Sequence, residues 1–311
     1  MEKGYSVSTE VPAGYSPDFE FFLFGHPQHL TLQSPEWTQY FLLRKSNQKV
    51  MAQVAFHIKD HIARSPFRAP FDSFLFSERL SPLVLYEFVH QVERLLARLG
   101  VAIISLTEPP LYYRKNGELL HAILLNQGYR AEKAELSSGI LIDRTSFEDK
   151  VETWEKRKLR QAKQKGAQFK TLPLDKLPMV YQFIIKCREQ RSHTLSMTLP
   201  ELEATVNKFR SEFILSGVFL NKDLIAASIA IKVHRDILYN FYSGHLKKYD
   251  PISPAVTLIG GLYKYSEQHK VKLLDLGTSH LHDQPNFTLL EFKLRLGASP
   301  SIKLTFEKQL A

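Results

Sequence analysis

The stretch LLDLGTSHLHDQPNFTLLEFKLRLGAS, residues 273–299, combines a short apolar strand, a polar loop and an amphipathic helix. The strand carries a carboxylate at Asp275, and the loop after it contains two histidines and an asparagine. The helix is largely apolar on one face apart from Lys293, and a glycine follows it. Because α/β proteins bind ligands where strands end and helices begin, this stretch is the first candidate for a functional site.

The same order of elements occurs earlier in the chain. Residues 80–100 begin with a Ser-Pro pair, in which the serine is a favourable N-cap and the proline suits the first helical position. The strand-like VAIISL, the helix-like NGELLHAILLNQG and the alternating SSGILID then follow. In the second copy Ser253 and Pro254 open the helix, and VKLLDL, NFTLLEFKLRLG and SIKLTFE follow in turn.

The spacing within the two copies supports an internal repeat. Asn116 follows Val101 by the same number of residues as Asn286 follows Val271. Upstream of each copy, polar turns divide apolar segments into strands. Each half therefore predicts the order β-β-β-α-β-α-β, and the second half gains two leading helices, at about 176–191 and 199–210. Self-similarity over this length is stronger evidence for a fold than any single motif.

The repeat sets the predicted domain boundaries. Residues 147–169 read as a basic helix that ends at Gly166. We expect an N-terminal unit over 1–146, a basic connecting helix over 147–169 and a C-terminal unit over 170–311. The fold class is α/β (α+β), in which each unit is a mixed β-sheet flanked by helices.

Composition limits the class of protein. The chain has 311 residues, of which 44% are hydrophobic and 23% charged, so it can bury a large core. Its longest apolar run, LIAASIAI, is far shorter than the roughly 18 residues of a membrane span. One cysteine excludes an internal disulfide, and the first residues lack the apolar core of a signal peptide. We expect a cytoplasmic protein whose net charge of +9 attracts anionic partners.

Three segments resemble those of a known family. WEKRKLRQAKQKGAQF is similar to the basic helix that enters the second unit of FemABX proteins, LLDLG to their D-[FL]-G strand, and LLEFKLRLGAS to their F-K-x-x-[FL]-G helix. The chain thus resembles the FemABX family and related tandem GNAT acyltransferases. The resemblance implies two tandem GNAT-like units and an N-acyltransferase that transfers an acyl or aminoacyl group to an amine. It places the site in the C-terminal unit and the cleft between the units.

The resemblance, for Lys293, and the needs of acyl transfer, for the other residues, suggest catalytic candidates. Lys293 would lie near the transferred acyl group, whereas without the resemblance it reads as an exposed lysine whose stem covers apolar surface. An unpaired carboxylate in an apolar strand is costly, so Asp275 should cap a loop or bind Arg157 or Arg160. Tyr242, or Tyr239 on the opposite face of the same strand, is a candidate general acid. The predicted catalytic residues are Lys293, Asp275, Tyr242 and His280, and the predicted substrate-binding residues are Arg157, Arg160, His282 and Asn286.

A phosphate-binding site is predicted at the second Ser-Pro helix. Free amides and the positive end of the helix dipole favour an anion there. The usual GNAT loop, [QR]-x-x-G-x-[GA], is replaced by KKYDPISPA, and no GxGxxG cradle occurs. Acyl-CoA is the expected co-substrate, and no metal is expected because the H-x-H pair has no third ligand. The predicted donor-binding residues are Lys248, Ser253, Ala255 and Val256.

Two other functions fit the same sequence. One is a Fem-like peptidoglycan aminoacyl transferase that uses aminoacyl-tRNA, although the connector has no antiparallel partner with which to form a coiled-coil arm. The other is a non-catalytic GNAT-fold protein that binds RNA or an acidic partner through its basic surface. The acceptor of the transferase would be an amine in a small molecule or a peptide. Lys303, in the last strand, is expected to lie at the surface.

Overall fold

The computed structural model describes residues 2, 4–191, 193–281 and 284–310. It contains two compact units: unit 1 comprises 1–135 and 301–311, and unit 2 comprises 136–300. The division differs from the predicted boundaries at 146 and 169 in two respects. The basic connecting segment belongs to unit 2, and the last strand belongs to unit 1.

Unit 1 begins with a meander of strands and continues with the first copy of the repeat. Its elements, in chain order, are β1 (Tyr5–Ser8), β2 (Ser16–Pro17), α1 (Pro27–Gln33), β3 (Thr38–Arg44), β4 (Lys49–Lys59), β5 (Ile62–Ser65), β6 (Leu75–Phe76), α2 (Pro82–Arg98), β7 (Ile103–Thr107), α3 (Gly117–Asn126) and β8 (Arg130–Leu141), of which β8 continues into unit 2.

The helix α2 of unit 1 forms as its sequence predicts. The Ser81 hydroxyl accepts a hydrogen bond from the Val84 amide at 3.3 Å, and Pro82 occupies the first position. The apolar face of α2 packs into one core with β3, β4, β7 and α3. Lys303, which we expected at the surface, is buried and lies 2.8 Å from the Glu135 carboxylate. This expectation is wrong because the last strand is an interior strand of the unit 1 sheet.

Unit 2 contains the two additional helices and the second copy of the repeat. Its elements are α4 (Phe147–Lys150), α5 (Thr153–Gln164), β9 (Ala167–Leu172), α6 (Leu177–Glu189), α7 (Leu199–Lys208), β10 (Phe213–Leu220), β11 (Asp223–His234), β12 (Ile237–His245), α8 (Pro254–Gln268), β13 (Leu273–Thr278), β14 (His280–Leu281), β15 (Gln284–Pro285), α9 (Phe287–Arg295) and β16 (Ser299–Gln309), of which β16 continues into unit 1.

Helices cover both faces of the unit 2 sheet, in which the strands run in the order β8-β13-β12-β11-β10-β9. The pairing of β12 with β13 is parallel, and the pairs among β9, β10, β11 and β12 are antiparallel, so the sheet is mixed as predicted. Helix α8 packs against the face that carries Ala230 and Leu238. Helix α6 contacts β11 and β12 from the other face, where Arg188 lies over the Tyr242 ring.

The last strand of each copy explains the observed boundaries. The strand β16, which ends the second copy, pairs antiparallel with β7 of the first, with Phe306 opposite Leu106. Both side chains are fully buried in the unit 1 core. The end of β8, which closes the first copy, pairs with β13, with Ile140 opposite Leu274. The last strand of the second copy therefore completes the sheet of unit 1, and the last strand of the first copy completes the sheet of unit 2.

No helix in the described part of the chain combines the length and the apolar character needed to cross a membrane.

Candidate active site

Lys293 is the buried cation of unit 2. It lies on α9 and is only 5% exposed, so it does not extend into solvent along an apolar surface. Its Nζ atom donates hydrogen bonds to the carbonyl oxygens of Gly277 and Thr278, both at 2.8 Å. These carbonyls belong to the last two residues of β13. The ammonium is thus fixed at the carboxyl end of the strand that contains Asp275.

The Asp275 carboxylate organises the end of that strand. Its Oδ1 atom accepts hydrogen bonds from the Ser137 hydroxyl at 3.0 Å and from the Gly277 amide at 2.7 Å. Gly277 has a φ of +75°, a conformation that favours glycine, and a Cβ atom there would lie 3.3 Å from the Tyr239 ring. The D-L-G sequence therefore forms an irregularity within β13, where the register against β8 shifts, and the Gly277 and Thr278 carbonyl oxygens accept from Lys293.

Burial of Lys293 and the charge of Asp275 shift the pKa of Lys293 in opposite directions. Loss of solvation lowers the pKa of its ammonium group to about 8, and the Asp275 carboxylate partly counteracts this by favouring the charged form. Lys293 therefore remains mostly protonated at neutral pH. It is suited to stabilise negative charge rather than to accept a proton.

A bulge brings two tyrosines to one face of the sheet. Tyr242 pairs with Ile229 and Tyr239 with Ile231, so β12 has one residue more than β11 between these pairs. Paired residues lie on the same face, and Ile229 and Ile231 share a face because they are two residues apart. The expectation that the two tyrosines point to opposite faces is therefore wrong. Tyr239 also pairs with Asp275, which puts that carboxylate on the same face.

Tyr242 is held by the segment between α6 and α7. Its hydroxyl forms a hydrogen bond of 2.6 Å with the Ser196 hydroxyl and accepts one of 3.1 Å from the Met197 amide. Burial raises the pKa of this phenol, and the two hydrogen bonds partly oppose the effect. Tyr242 therefore stays neutral at physiological pH.

Arg188 is a half-buried cation near both tyrosines. It lies in the last turn of α6, and its guanidinium carbon is 6.0 Å from the centre of the Tyr242 ring. Burial lowers its pKa, and interactions with Tyr242 and Tyr239 counteract the effect. Among the described residues no carboxylate forms a salt bridge with it.

The loop after β13 contains the remaining predicted residues. His280 is half-buried in β14, and its Nδ1 atom is buried without a hydrogen-bond partner in the described part of the chain. His282 lies outside the described residues. Asn286 caps α9, because its Oδ1 atom accepts the Leu289 amide at 3.0 Å. Its side-chain acceptor therefore serves the fold, which weakens its assignment to the substrate.

The arginines predicted to pair with Asp275 occupy a different place. Arg157 and Arg160 lie on the exposed side of α5.

The same helix is linked to α9 by Glu155, which is fully buried and accepts a hydrogen bond from Arg295 Nε at 3.1 Å. Gly297, with a φ of +81°, packs against α4, where a Cβ atom would lie 2.8 Å from the Lys150 carbonyl oxygen. The glycine after α9 is thus required for this close contact.

The start of α8 fits a pyrophosphate only in part. Ser253 adopts a left-handed conformation with a φ of 48°, and its side chain does not cap the helix. The Val256 amide, predicted to be free, donates to the Ser253 carbonyl at 3.0 Å. Ala255 is half-buried, and Lys248 is exposed, with its Nζ atom 4.8 Å from the centre of the Tyr249 ring. One of the amides predicted to bind a phosphate is therefore already used within the helix.

Comparison with known proteins identifies the fold. No protein-family model and no curated protein matches the chain. The crystal structure of FemX matches with a TM-score of 0.70 and 12% sequence identity, over 93% of this chain and 92% of FemX. The C-terminal domain of a putative lysylphosphatidylglycerol synthetase from Agrobacterium fabrum matches with a TM-score of 0.57 and 13% identity, over 88% of this chain and 84% of that domain. A tandem GNAT protein from the clavulanic acid biosynthesis pathway matches with a TM-score of 0.52 and 12% identity, over 88% and 83% of the two chains.

The chain has a FemABX-like tandem GNAT fold. The fold expected from the resemblance is thereby confirmed.

Only some of the site residues predicted from the sequence lie in the same part of the second GNAT unit. Lys293, Asp275 and Tyr242 lie at one end of the central strands, whereas Arg157 and Arg160 lie on the surface of α5. Arg188 was missed because nothing local distinguishes it from the other cations of α6. Ser137 and Ser196 were missed for a similar reason, since each meets its partner only through long-range packing. Among the described residues no three His, Cys, Asp or Glu side chains are grouped as a metal site would require.

Proposed function

We propose that the second GNAT unit transfers an acyl or aminoacyl group from an activated ester or thioester to an amine. The observation that carries the proposal is the buried Lys293 ammonium, held by two backbone carbonyls at the end of β13. A buried cation without a direct carboxylate hydrogen bond is costly for stability, so its presence favours a functional role.

The ammonium geometry leaves one donor for a substrate. A lysine ammonium carries three protons, and the Gly277 and Thr278 carbonyls accept two of them. The third proton is available to the oxygen of an acyl carbonyl. As the amine nitrogen attacks the carbonyl carbon, that oxygen becomes negatively charged, and a positioned cation in a dry site stabilises it. The attack forms the C–N bond, and collapse of the tetrahedral intermediate restores the carbonyl and breaks the C–O or C–S bond to the leaving group.

Three other residues take supporting roles in the proposal. Asp275 holds the Gly277 amide at the end of β13, and its charge favours the protonated form of Lys293. His280, with an unpartnered buried Nδ1 atom in the described part of the chain, is the proposed acceptor of the proton that the attacking amine loses. Tyr242, which stays neutral, is the proposed donor of a proton to the leaving group.

Replacement of Lys293 by methionine tests the proposal. Methionine keeps an unbranched apolar stem and a high helix propensity while removing the charge. Loss of one such electrostatic donor should lower kcat by about 10² to 10³. A matched variant, Lys264→Met, removes an exposed lysine from α8 of the same unit and should leave kcat unchanged.

The assay would offer thioester and aminoacyl-ester donors to a set of small amines and amino-terminal peptides, with product detected by mass spectrometry. Folding of each variant is checked by circular dichroism. Equal activity of Lys293→Met and wild type would refute the role of Lys293. Absence of turnover by the wild type with every donor class would favour a non-catalytic protein with the same fold.

A further inference from the structure

The proposed chemistry gives no role to Arg188, the half-buried cation over the tyrosine face of the unit 2 sheet. Its guanidinium carbon lies 6.0 Å from the centre of the Tyr242 ring, and among the described residues the guanidinium has no hydrogen-bond or salt-bridge partner. Loss of solvation lowers its pKa, so the charge is held in a place that water reaches only in part. Arg188 therefore keeps the donors of its guanidinium fork for a group outside the described chain.

Close packing of α6 on β12 fixes the backbone of Arg188. The preceding residue, Cys187, is buried, and a Cβ atom at Gly244 of β12 would lie only 2.7 Å from the Cys187 Cβ atom. The last turn of α6 is thus in direct contact with the sheet, and Arg188 starts from that contact. Its side chain lies against the Tyr242 ring as a consequence of this packing.

A second arginine at the end of α6 shows what a structural arginine looks like at this place. Arg191 donates to the Cys187 carbonyl at 3.3 Å and to the His245 carbonyl at 2.9 Å. One of its nitrogens also lies 3.5 Å from the Asp250 carboxylate. Arg191 therefore joins α6 to β12 and to the segment before α8. Arg188, three residues earlier, makes no such link among the described residues, which leaves its charge without a structural purpose.

The surroundings of Arg188 favour a carboxylate over a phosphate as its ligand. A guanidinium fork matches both groups. A phosphate monoester, however, carries up to about two charges and favours several cations or the amides of a helix N-terminus. Arg188 lies instead in the last turn of α6, where the helix dipole is negative, and the other basic residue of that turn, Lys186, is exposed. One partly buried cation balances the single charge of a carboxylate.

We infer that Arg188 binds the carboxylate of an amino acid whose amine is the acceptor. Tyr239, on the same face as Tyr242, pairs with Asp275 of β13, and the carbonyls that hold Lys293 are at the end of β13. A carboxylate held by Arg188 would fix one end of the molecule and leave its amine free to attack the acyl carbonyl. For the role of the bound molecule as acceptor, the inference rests on the proposed function. The binding of the carboxylate requires no donor and no turnover.

Binding of matched acids and amides to the wild-type protein tests the inference without a transfer reaction. Glycine, β-alanine and γ-aminobutyrate are compared with their primary amides by ligand-observed NMR. Each amide keeps the amine and the chain length but lacks the negative charge. For at least one chain length the acid should bind about tenfold or more tightly than its amide, because hydrogen bonds to a charged group in a partly dry site are strong. This comparison needs no variant and so does not depend on how a variant folds.

Substitution of Arg188 assigns the preference to its side chain. Arg188→Met should abolish the difference between acid and amide. Arg188→Lys keeps the charge but loses the planar fork, so it should retain only part of the preference. The matched control, Lys186→Met, removes an exposed cation from the same turn of α6 and should leave the preference unchanged. Circular dichroism checks that each variant is folded.

The kinetic counterpart uses the transfer assay of the proposed function. Arg188→Met should raise KM for the acid acceptor by about tenfold or more and leave KM for the donor unchanged. A rise in KM for the donor alone would overturn the inference and assign the carboxylate to the transferred acyl group.

Three binding results would also overturn the inference. They are equal binding of acids and amides by the wild type, an equal loss of preference in Arg188→Met and Lys186→Met, and tighter binding of 2-aminoethyl phosphate than of any acid. Transfer to amines without preference for a carboxylate would refute the role of Arg188 and leave that of Lys293 intact. Conversely, acid binding that depends on Arg188, in a protein that transfers no acyl group, would refute the proposed function and leave the carboxylate site in place.

Discussion

The segment after β7 in unit 1 and the segment after β13 in unit 2 occupy matching positions in the internal repeat. In unit 1 the fully buried Glu108 follows the strand, and Arg114 pairs with it while donating to the Phe74 carbonyl at 2.7 Å. In unit 2 the buried cation Lys293 donates only to backbone carbonyls among the described hydrogen bonds. The buried Glu108 of unit 1 is therefore paired with a cation, whereas the described hydrogen bonds of Lys293 in unit 2 all go to backbone carbonyls.

The matching positions differ in residue type as well. The same spacing from Asn116 and Asn286 places Ile123 where unit 2 has Lys293, and Ser105 where unit 2 has Asp275. Ile123 is buried in the apolar core of unit 1. The same position of the repeat thus carries an apolar core residue in one copy and a buried cation in the other.

Unit 1 also holds a second buried carboxyl group near this pair. Burial raises the pKa of Asp72 to about 7, and the neighbouring Glu108 carboxylate adds to the effect, while Arg114 and the Ser73 amide oppose it. One arginine thus serves two buried carboxyl groups, one of which retains its proton up to about neutral pH. Arg114 is therefore the cation that acts on both Glu108 and Asp72.

The largest expected effect on stability comes from breaking the unit 1 pair. Arg114→Met leaves the buried Glu108 carboxylate without its cation and should lower the free energy of unfolding by about 3–5 kcal/mol. Chemical denaturation followed by circular dichroism measures this. The double variant Arg114→Met/Glu108→Gln should recover part of the loss. If Arg114→Met instead lowers kcat in the folded protein by tenfold or more, the buried charge of unit 1 takes part in the chemistry and the contrast fails.

A smaller effect concerns the dependence of stability on pH. The pKa of Lys293 is lowered from 10.5 to about 8, so between these values the unfolded chain binds more protons than the folded chain. The free energy of unfolding of the wild type should therefore rise with pH across this window, by at most about 3 kcal/mol relative to Lys293→Met. Urea denaturation at several pH values measures the difference. Parallel pH profiles for wild type and Lys293→Met would show that Lys293 is not buried as a charge.

The smallest expected effect concerns Asp275. Its charge raises the pKa of Lys293, so Asp275→Asn should lower that pKa and move the alkaline limb of the kcat profile to lower pH, by about one unit or less. Ser105→Ala, the matched change in unit 1, should leave the profile unchanged. A shift in the alkaline limb of equal size in both variants would indicate a general loss of folding rather than an effect on Lys293.

Elements that depend on local pattern could be predicted from the sequence. Ser81 and Pro82 begin α2, and Asn286 begins α9, because capping involves residues within one turn of each other. The strands over β10, β11 and β12 follow from apolar runs separated by polar turns. The strand position of Asp275 and the unusual apolar surroundings of Lys293 could be read in the same way, since both depend on nearby residues.

Pairing and contact over long sequence distances were decided by the tertiary structure. The assignment of β16 to unit 1 rests on its hydrogen bonds to β7, and no local pattern specifies the partner of a strand. The bulge in β12 put Tyr239 and Tyr242 on one face, because one extra residue reverses the alternation of side chains. The same packing brought Ser137 to Asp275 and the Gly277 carbonyl to Lys293. The sequence by itself determined the order of the elements, because they depend on local pattern, whereas only the folded chain decided that Lys293 is buried and which groups surround it.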